Sequence, residues 1–178
     1  MSGELKLDLL NNAYNFLDES LRNVTLAEKD SSQWKFALIN VAQAIELFVK
    51  ERLCREHSLL VYTIVDKPRH TVTLETALSR LVSCGVQLDD EDLTRVKRVK
   101  EIRNDLVHFS TNVTTQQLES SYVDLFEFAH VFHEKELGTE LHEFVPEAHW
   151  AIESALMGKV SPRICSVSRR QNHQKVPE

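Results

Sequence analysis

At 178 residues the chain is long enough to bury a core and fits one domain with an appendage. Four glycines, four prolines and a supply of Leu, Ala, Glu and Lys point to a mostly helical protein, and no apolar run approaches the roughly 18 to 20 residues that span a bilayer. The net charge of -6 hides an asymmetry: Lys159, Arg163, Arg169, Arg170 and Lys175 face Glu178 alone after Gly158, leaving 16 basic against 26 acidic residues before it, which argues against broad, nonspecific nucleic-acid binding.

The first helix is expected over residues 4–29, where Leu5, Leu9, Phe16, Leu17 and Leu21 repeat at a helical period. The opening MSGELKLDLL lacks a basic leader followed by an apolar core, so no secretory signal is expected. Ser31 or Ser32 caps the second helix, which runs to about His57. Its apolar positions, from Trp34 to Val49, cover well over half its circumference, as in the central helix of a bundle. Gln43, Glu46 and Lys50 form its polar stripe. Pro68 punctuates a long connection with a short extended piece. A third helix, Leu74 to Ser83, stops at Gly85. Asp89 caps a fourth that ends near Phe109. Thr114 and Gln117 fit a capping box for a fifth, reaching about Leu137. VPEAHWAIESALM supplies a sixth, with Pro146 in its first turn. Residues 158–178 are basic and patternless and read as a flexible tail after a domain of residues 1–157.

The fourth helix carries an anomaly in EIRNDLVHF, Glu101 to Phe109. At about 100° per residue, Arg103 points into the middle of the arc formed by Val96, Val99, Ile102, Leu106 and Val107. A guanidinium is costly there unless it is paired or reaches a wet cleft. Lys97, Lys100, Asn104 and His108 share a strip along the neighbouring flank. One reading is structural: Arg103 pairs with an acid such as Glu46, and His108 closes the helix end as a cation. The other is a phosphate-handling site. Arg clamps phosphate oxygens in bidentate fashion, and His moves protons near neutral pH.

Arg103-Asn104-x-x-x-His108 resembles the R-x(4–6)-H signature of HEPN domains. The stretch NVAQAIELFVKERL, Asn40 to Leu53, is similar to that family's second-helix pattern, and DKPRHTVTLETALSRL to the segment joining the two motifs in a prokaryotic branch. The resemblance covers roughly residues 30–135. It implies an all-α fold, a short up-and-down bundle of about five to six helices that dimerises. It also implies a metal-independent RNA endonuclease of toxin–antitoxin, abortive-infection or CRISPR type, or a relative that only binds. On this reading Arg103, Asn104 and His108 are catalytic, Glu46 and Lys50 support them, and Lys97 and Lys100 bind RNA. The partners are an RNA substrate, a second copy of the chain, and an antitoxin or defence-system protein. No membrane, cofactor or metal is called for, and the compartment is the cytoplasm. Members controlled by a nucleotidyltransferase often carry Tyr two residues after the His, whereas this chain has Ser110, which puts that control in doubt. The alternative is a non-catalytic interaction or dimerisation module for protein or nucleic acid.

Other constellations carry less. His130 and His133 are three apart, but no second cluster with metal-ligand spacing accompanies them. There is no glycine-rich phosphate loop, nucleophile elbow or HExxH. Cys54, Cys84 and Cys165 read as reduced thiols. Trp34 and Trp150 read as core or interface anchors. The basic tail could hold RNA electrostatically.

Overall fold

The computed structural model describes residues 8–88, 90–108 and 113–159, and within 90–108 the side chains at positions 92, 99, 100, 102, 103, 105, 107 and 108 are outside that description. Among the described residues six α-helices pack together: α1 (Leu9–Ala27), α2 (Gln33–Glu56), α3 (Leu74–Ser83), α4 (Asp90–His108), α5 (Thr115–Phe132) and α6 (Trp150–Met157). Among the described residues there is no strand, and no helix is long and apolar enough to cross a membrane.

The centre is α2, which packs against α1, α3, α4 and α5. Trp34, Ala37, Leu38, Val41, Ala42, Ile45, Phe48 and Val49 are all buried, as the breadth of its apolar surface predicts. Leu17 and Leu21 of α1 and Leu125, Phe126 and Phe128 of α5 complete the core. Tyr122 of α5 is fully buried with its polar end satisfied. Ser20 Oγ donates to the Leu17 carbonyl at 2.7 Å, which leaves the Tyr122 hydroxyl, 3.0 Å away, to donate to Ser20.

Local signals set the helix ends. Asp8 caps α1 by accepting from the Asn11 amide at 2.8 Å. The predicted Ser cap of α2 is not formed. Ser32 is helical and makes no capping bond; Asp30 instead accepts from the Ser32 amide at 3.0 Å and its hydroxyl at 2.9 Å. A carboxylate two residues upstream outcompetes a hydroxyl as the acceptor. Gly85 ends α3 at φ +90, its amide bonding Val82 O while the Val86 amide reaches Leu81 O. This crossed pair satisfies the last carbonyls through a residue that tolerates the left-handed region. Thr114 and Gln117 form the expected capping box of α5. The expected cap Asp89, together with Leu5, Phe109 and residues 160–178, lies outside the described residues.

The α2–α3 connection contains a 3-10 turn, Ser58–Val61, and an isolated antiparallel bridge between Tyr62 and Thr71. Arg80 of α3 donates to the carbonyls of both Leu60 and Tyr62, pinning the connection to the bundle. Past Phe132 the α5 spiral widens into a π turn, His133–Leu137, closed by Gly138 at φ +85. Short 3-10 turns at Leu141–Phe144 and Glu147–His149 lead into α6, with Pro146 just ahead of the second.

Candidate functional site

The phase of α4 follows from its described side chains. Val96 is 1% exposed and belongs to the core, and Leu106 is half-buried against it. Lys97 and Asn104 are exposed. Among the described side chains of α4, Val96 and Leu106 therefore face inward and Lys97 and Asn104 outward, as the sequence period requires. Arg103 and His108 belong to the same helix, but their side chains, with that of Lys100, lie outside the described residues.

Among the described side chains, Arg95 and Arg98 of α4 form ion pairs with α5. Arg95 sits 2.9 Å from Glu91 on its own helix and 3.6 Å from Glu127 on α5. Arg98 reaches Asp124 of α5 at 3.1 Å. The second pair is about half exposed, so it sets orientation more than stability.

On α2, the structure brings Glu46 and Lys50 together. Lys50 Nζ lies 2.7 Å from Glu46 Oε1 and donates to Thr71 Oγ1 at 3.1 Å. The side chains are 7% exposed for Lys50 and 16% for Glu46. Lys50 is thus interior, not part of an open polar stripe, and its ammonium clips the α2–α3 connection to α2. Glu46 pairs with Lys50, and the side chain of the expected partner Arg103 lies outside the described residues.

Glu46→Ala is expected to destabilise the fold by about 2 to 3 kcal/mol, because it leaves the Lys50 ammonium nearly buried with Thr71 as its described partner. A urea titration checks this, and a loss below 0.5 kcal/mol would show that Lys50 needs no counter-ion.

The two histidines set aside as metal ligands have other work. His133 Nδ1 lies 2.7 Å from the Thr139 carbonyl, which can only accept, so Nδ1 carries a proton. In the neutral ring Nε2 is then the acceptor for the Tyr14 hydroxyl at 2.9 Å. Phe48, Tyr14 and Phe144 surround the ring. Burial holds His133 below the usual imidazole range and pushes the Tyr14 phenol up to about 12. His130, one turn earlier, has its Nε2 3.4 Å from Glu153 and without a hydrogen-bond partner. Glu153 makes its short contact, 2.6 Å, with His142 Nδ1. No group of His, Cys, Asp and Glu among the described residues is placed to hold a metal ion.

Tyr14, Glu153 and Thr71 were not visible as partners in the sequence, since each is set beside its partner by tertiary packing. Trp34 is buried as expected, but Trp150 is 46% exposed, its indole N–H bonding Val145 O at 3.0 Å. Trp150 is therefore a staple of the turn before α6 and not a core anchor. Compared with family models, curated proteins and solved structures, the chain matches none.

Proposed function

We propose that this chain is a HEPN-like, metal-independent RNA endonuclease of toxin or antiviral-defence type, acting in the cytoplasm as a homodimer of up-and-down bundles. The observation that supports the reading is the phase of α4. Lys97 and Asn104, two turns apart, are exposed on one flank while Val96 is in the core. By helical period the sequence assigns Lys100 and His108 to that same strip and Arg103 to its border.

In the reaction, the ribose 2'-oxygen attacks the adjacent phosphorus and the bond to the 5'-oxygen breaks. The products are a 2',3'-cyclic phosphate and a free 5'-hydroxyl. His108 takes the proton from the 2'-hydroxyl or delivers one to the 5'-oxygen. Arg103 stabilises charge building on the phosphoryl oxygens, and Asn104 holds the phosphate or the imidazole. Lys97 and Lys100 follow the RNA backbone. One imidazole cannot serve both proton transfers in one step, so two copies of His108 at a two-fold axis supply base and acid. An antitoxin or another defence protein would mask the same groove.

The second reading, a non-catalytic interaction module, draws support from Glu46 and Lys50, which close on each other inside the bundle and are not presented outward. Digestion of labelled RNA in excess EDTA separates the two. The endonuclease reading expects cleavage with cyclic-phosphate ends, a bell-shaped profile around neutral pH and a dimer by light scattering. Cleavage that needs an added divalent ion, or a monomer at high micromolar concentration, rejects this mechanism. Intact RNA bound without cleavage establishes the interaction module.

A further inference from the structure

Eight large apolar side chains are exposed among the described residues, and four of them fall in two short segments: Ile64 and Val65 in one, Phe144 and Trp150 in the other. Single exposed apolar residues are ordinary, whereas clusters on anchored backbone mark contact surfaces. Ile64 and Val65 stand at the tip of the α2–α3 connection. Below them the Thr63 amide donates to the His70 carbonyl and the Val72 amide to the Val61 carbonyl, both at 2.8 Å, closing a hairpin-like finger. Arg80 and Lys50 pin its base. In the second segment Phe144 stacks on Tyr14 with ring centroids 4.4 Å apart, and the Trp150 indole is tied to the carbonyl of Val145, the residue after Phe144.

The charges beside the two segments are opposite. Lys67 and Arg69 follow the tip, against Asp66 as the finger's acid; both cations are exposed, and neither forms an ion pair among the described residues. Glu140, Glu143 and Glu147 accompany the aromatic pair, are exposed as well, and form no ion pair among the described residues. The histidines of that segment are committed elsewhere, His142 to Glu153 and His149 to Asp18. Both segments are rooted on the last turns of α2: Lys50 bonds Thr71 at the base of the finger, while Arg52 pairs with Glu136 and Arg55 donates to the Leu137 carbonyl just ahead of the aromatic segment.

We propose that the finger of one copy of this chain docks on the aromatic segment of a second copy, with Ile64 and Val65 against Phe144 and Trp150 and with Lys67 and Arg69 against Glu140, Glu143 and Glu147. Each copy carries both halves of the contact, apolar tip with free cations and aromatic face with free carboxylates, so no foreign partner is needed to complete it. The rim charges set register and orientation, and a cation over the exposed Trp150 ring adds attraction. A nucleic-acid strand would use the two cations, but it would leave the four apolar side chains without a role and would meet three carboxylates of its own sign. The contact is small, below the roughly 1,000 Å² of a stable interface, so it forms as a weak association that the two copies can make in both directions at once. It uses no residue of α4 and stands apart from the dimer of the nuclease reading.

The test is 15N NMR of the full chain without RNA, from about 20 µM to about 1 mM, the span of a weak interface. The indole N–H of Trp150 is the reporter and that of the buried Trp34 the reference. Docking expects the Trp150 signal and the amides of Ile64, Val65 and Lys67 to shift together as concentration rises, and Ile64→Asp to weaken the association by at least about 10-fold. Lys67→Glu with Arg69→Glu sets acid against acid, and Glu140→Lys with Glu147→Lys sets base against base. Each double variant alone should show no shift with concentration. An equimolar mixture of the two should recover it, because both contacts of the mixed pair then join opposite charges. All five positions are exposed, so the Trp34 signal should stay in place throughout. A Trp150 signal indifferent to concentration overturns the proposal, as does a mixture that behaves like its separate components. Finger amides that move only when a single-stranded oligoribonucleotide is added also overturn it and make the finger an RNA contact. A dimer by light scattering with no response at Trp150 removes this contact and leaves the α4 dimer standing, so the two readings fail separately.

Discussion

Replacing His108 with alanine is expected to lower RNA cleavage by about 10²- to 10⁴-fold, the range a positioned acid or base supplies. The helices should stay folded. His108 is the last residue of α4, where loss of a cationic ring costs at most about 1 to 2 kcal/mol through the helix dipole. Asn104 is exposed, so Asn104→Ala should lower activity with a stability change within about 0.5 kcal/mol. Arg103→Ala separates the readings from another side: a catalytic arginine loses activity with stability kept or raised, and a structural one costs several kcal/mol. Circular dichroism and light scattering on each variant, beside the RNA digest, establish whether fold and dimer survive. Wild-type cleavage by His108→Ala would sink the nuclease mechanism and return the polar cluster of Glu101–Phe109 to a structural helix end.

What the residues reveal unaided is set by how far a signal reaches along the chain. The Thr114–Gln117 box, the Gly85 stop and the buried arc of α2 are interactions among residues within a turn or two, and each is present. The same holds for α4, where spacing alone places Lys97 and Asn104 outside and Val96 inside. Asp30 displaced Ser32 because two capping groups competed within three residues and the charged one is the stronger acceptor. Lys50 looked like a surface stripe residue because its burial comes from the α2–α3 connection, whose Thr71 lies well outside α2. The His133–Tyr14 bond spans 119 positions, and nothing local in either segment signals it. The candidate catalytic set is the converse case: legible as a motif, with only Asn104 among the described side chains of the three.

Acidification is expected to destabilise the fold by about 3 kcal/mol between pH 6.5 and pH 4, through His130. Burial pushes this imidazole down to about 4, and the neighbouring His133 and His142 rings add to the push. The Glu153 carboxylate 3.4 Å away acts in the opposite sense, but Nε2 makes no hydrogen bond to it, and Glu153 gives its short contact to His142. Burial therefore wins. A base whose pKa is lower in the fold than in the unfolded chain stays neutral while the unfolded chain takes up a proton. Its contribution is complete above about pH 6.5 and is lost as pH falls toward the folded value. His133, also held low by burial, pulls in the same direction. Urea midpoints measured from pH 7 to pH 4 for the wild type and for His130→Leu isolate the effect, since carboxylates titrating in the same window contribute equally to both. The substitution should cut the loss on acidification by about 3 kcal/mol and leave the residue of the slope to His133 and the carboxylates. If the two proteins lose stability in parallel, the Glu153 contact governs His130, and the ring is held charged inside the bundle between α5 and α6.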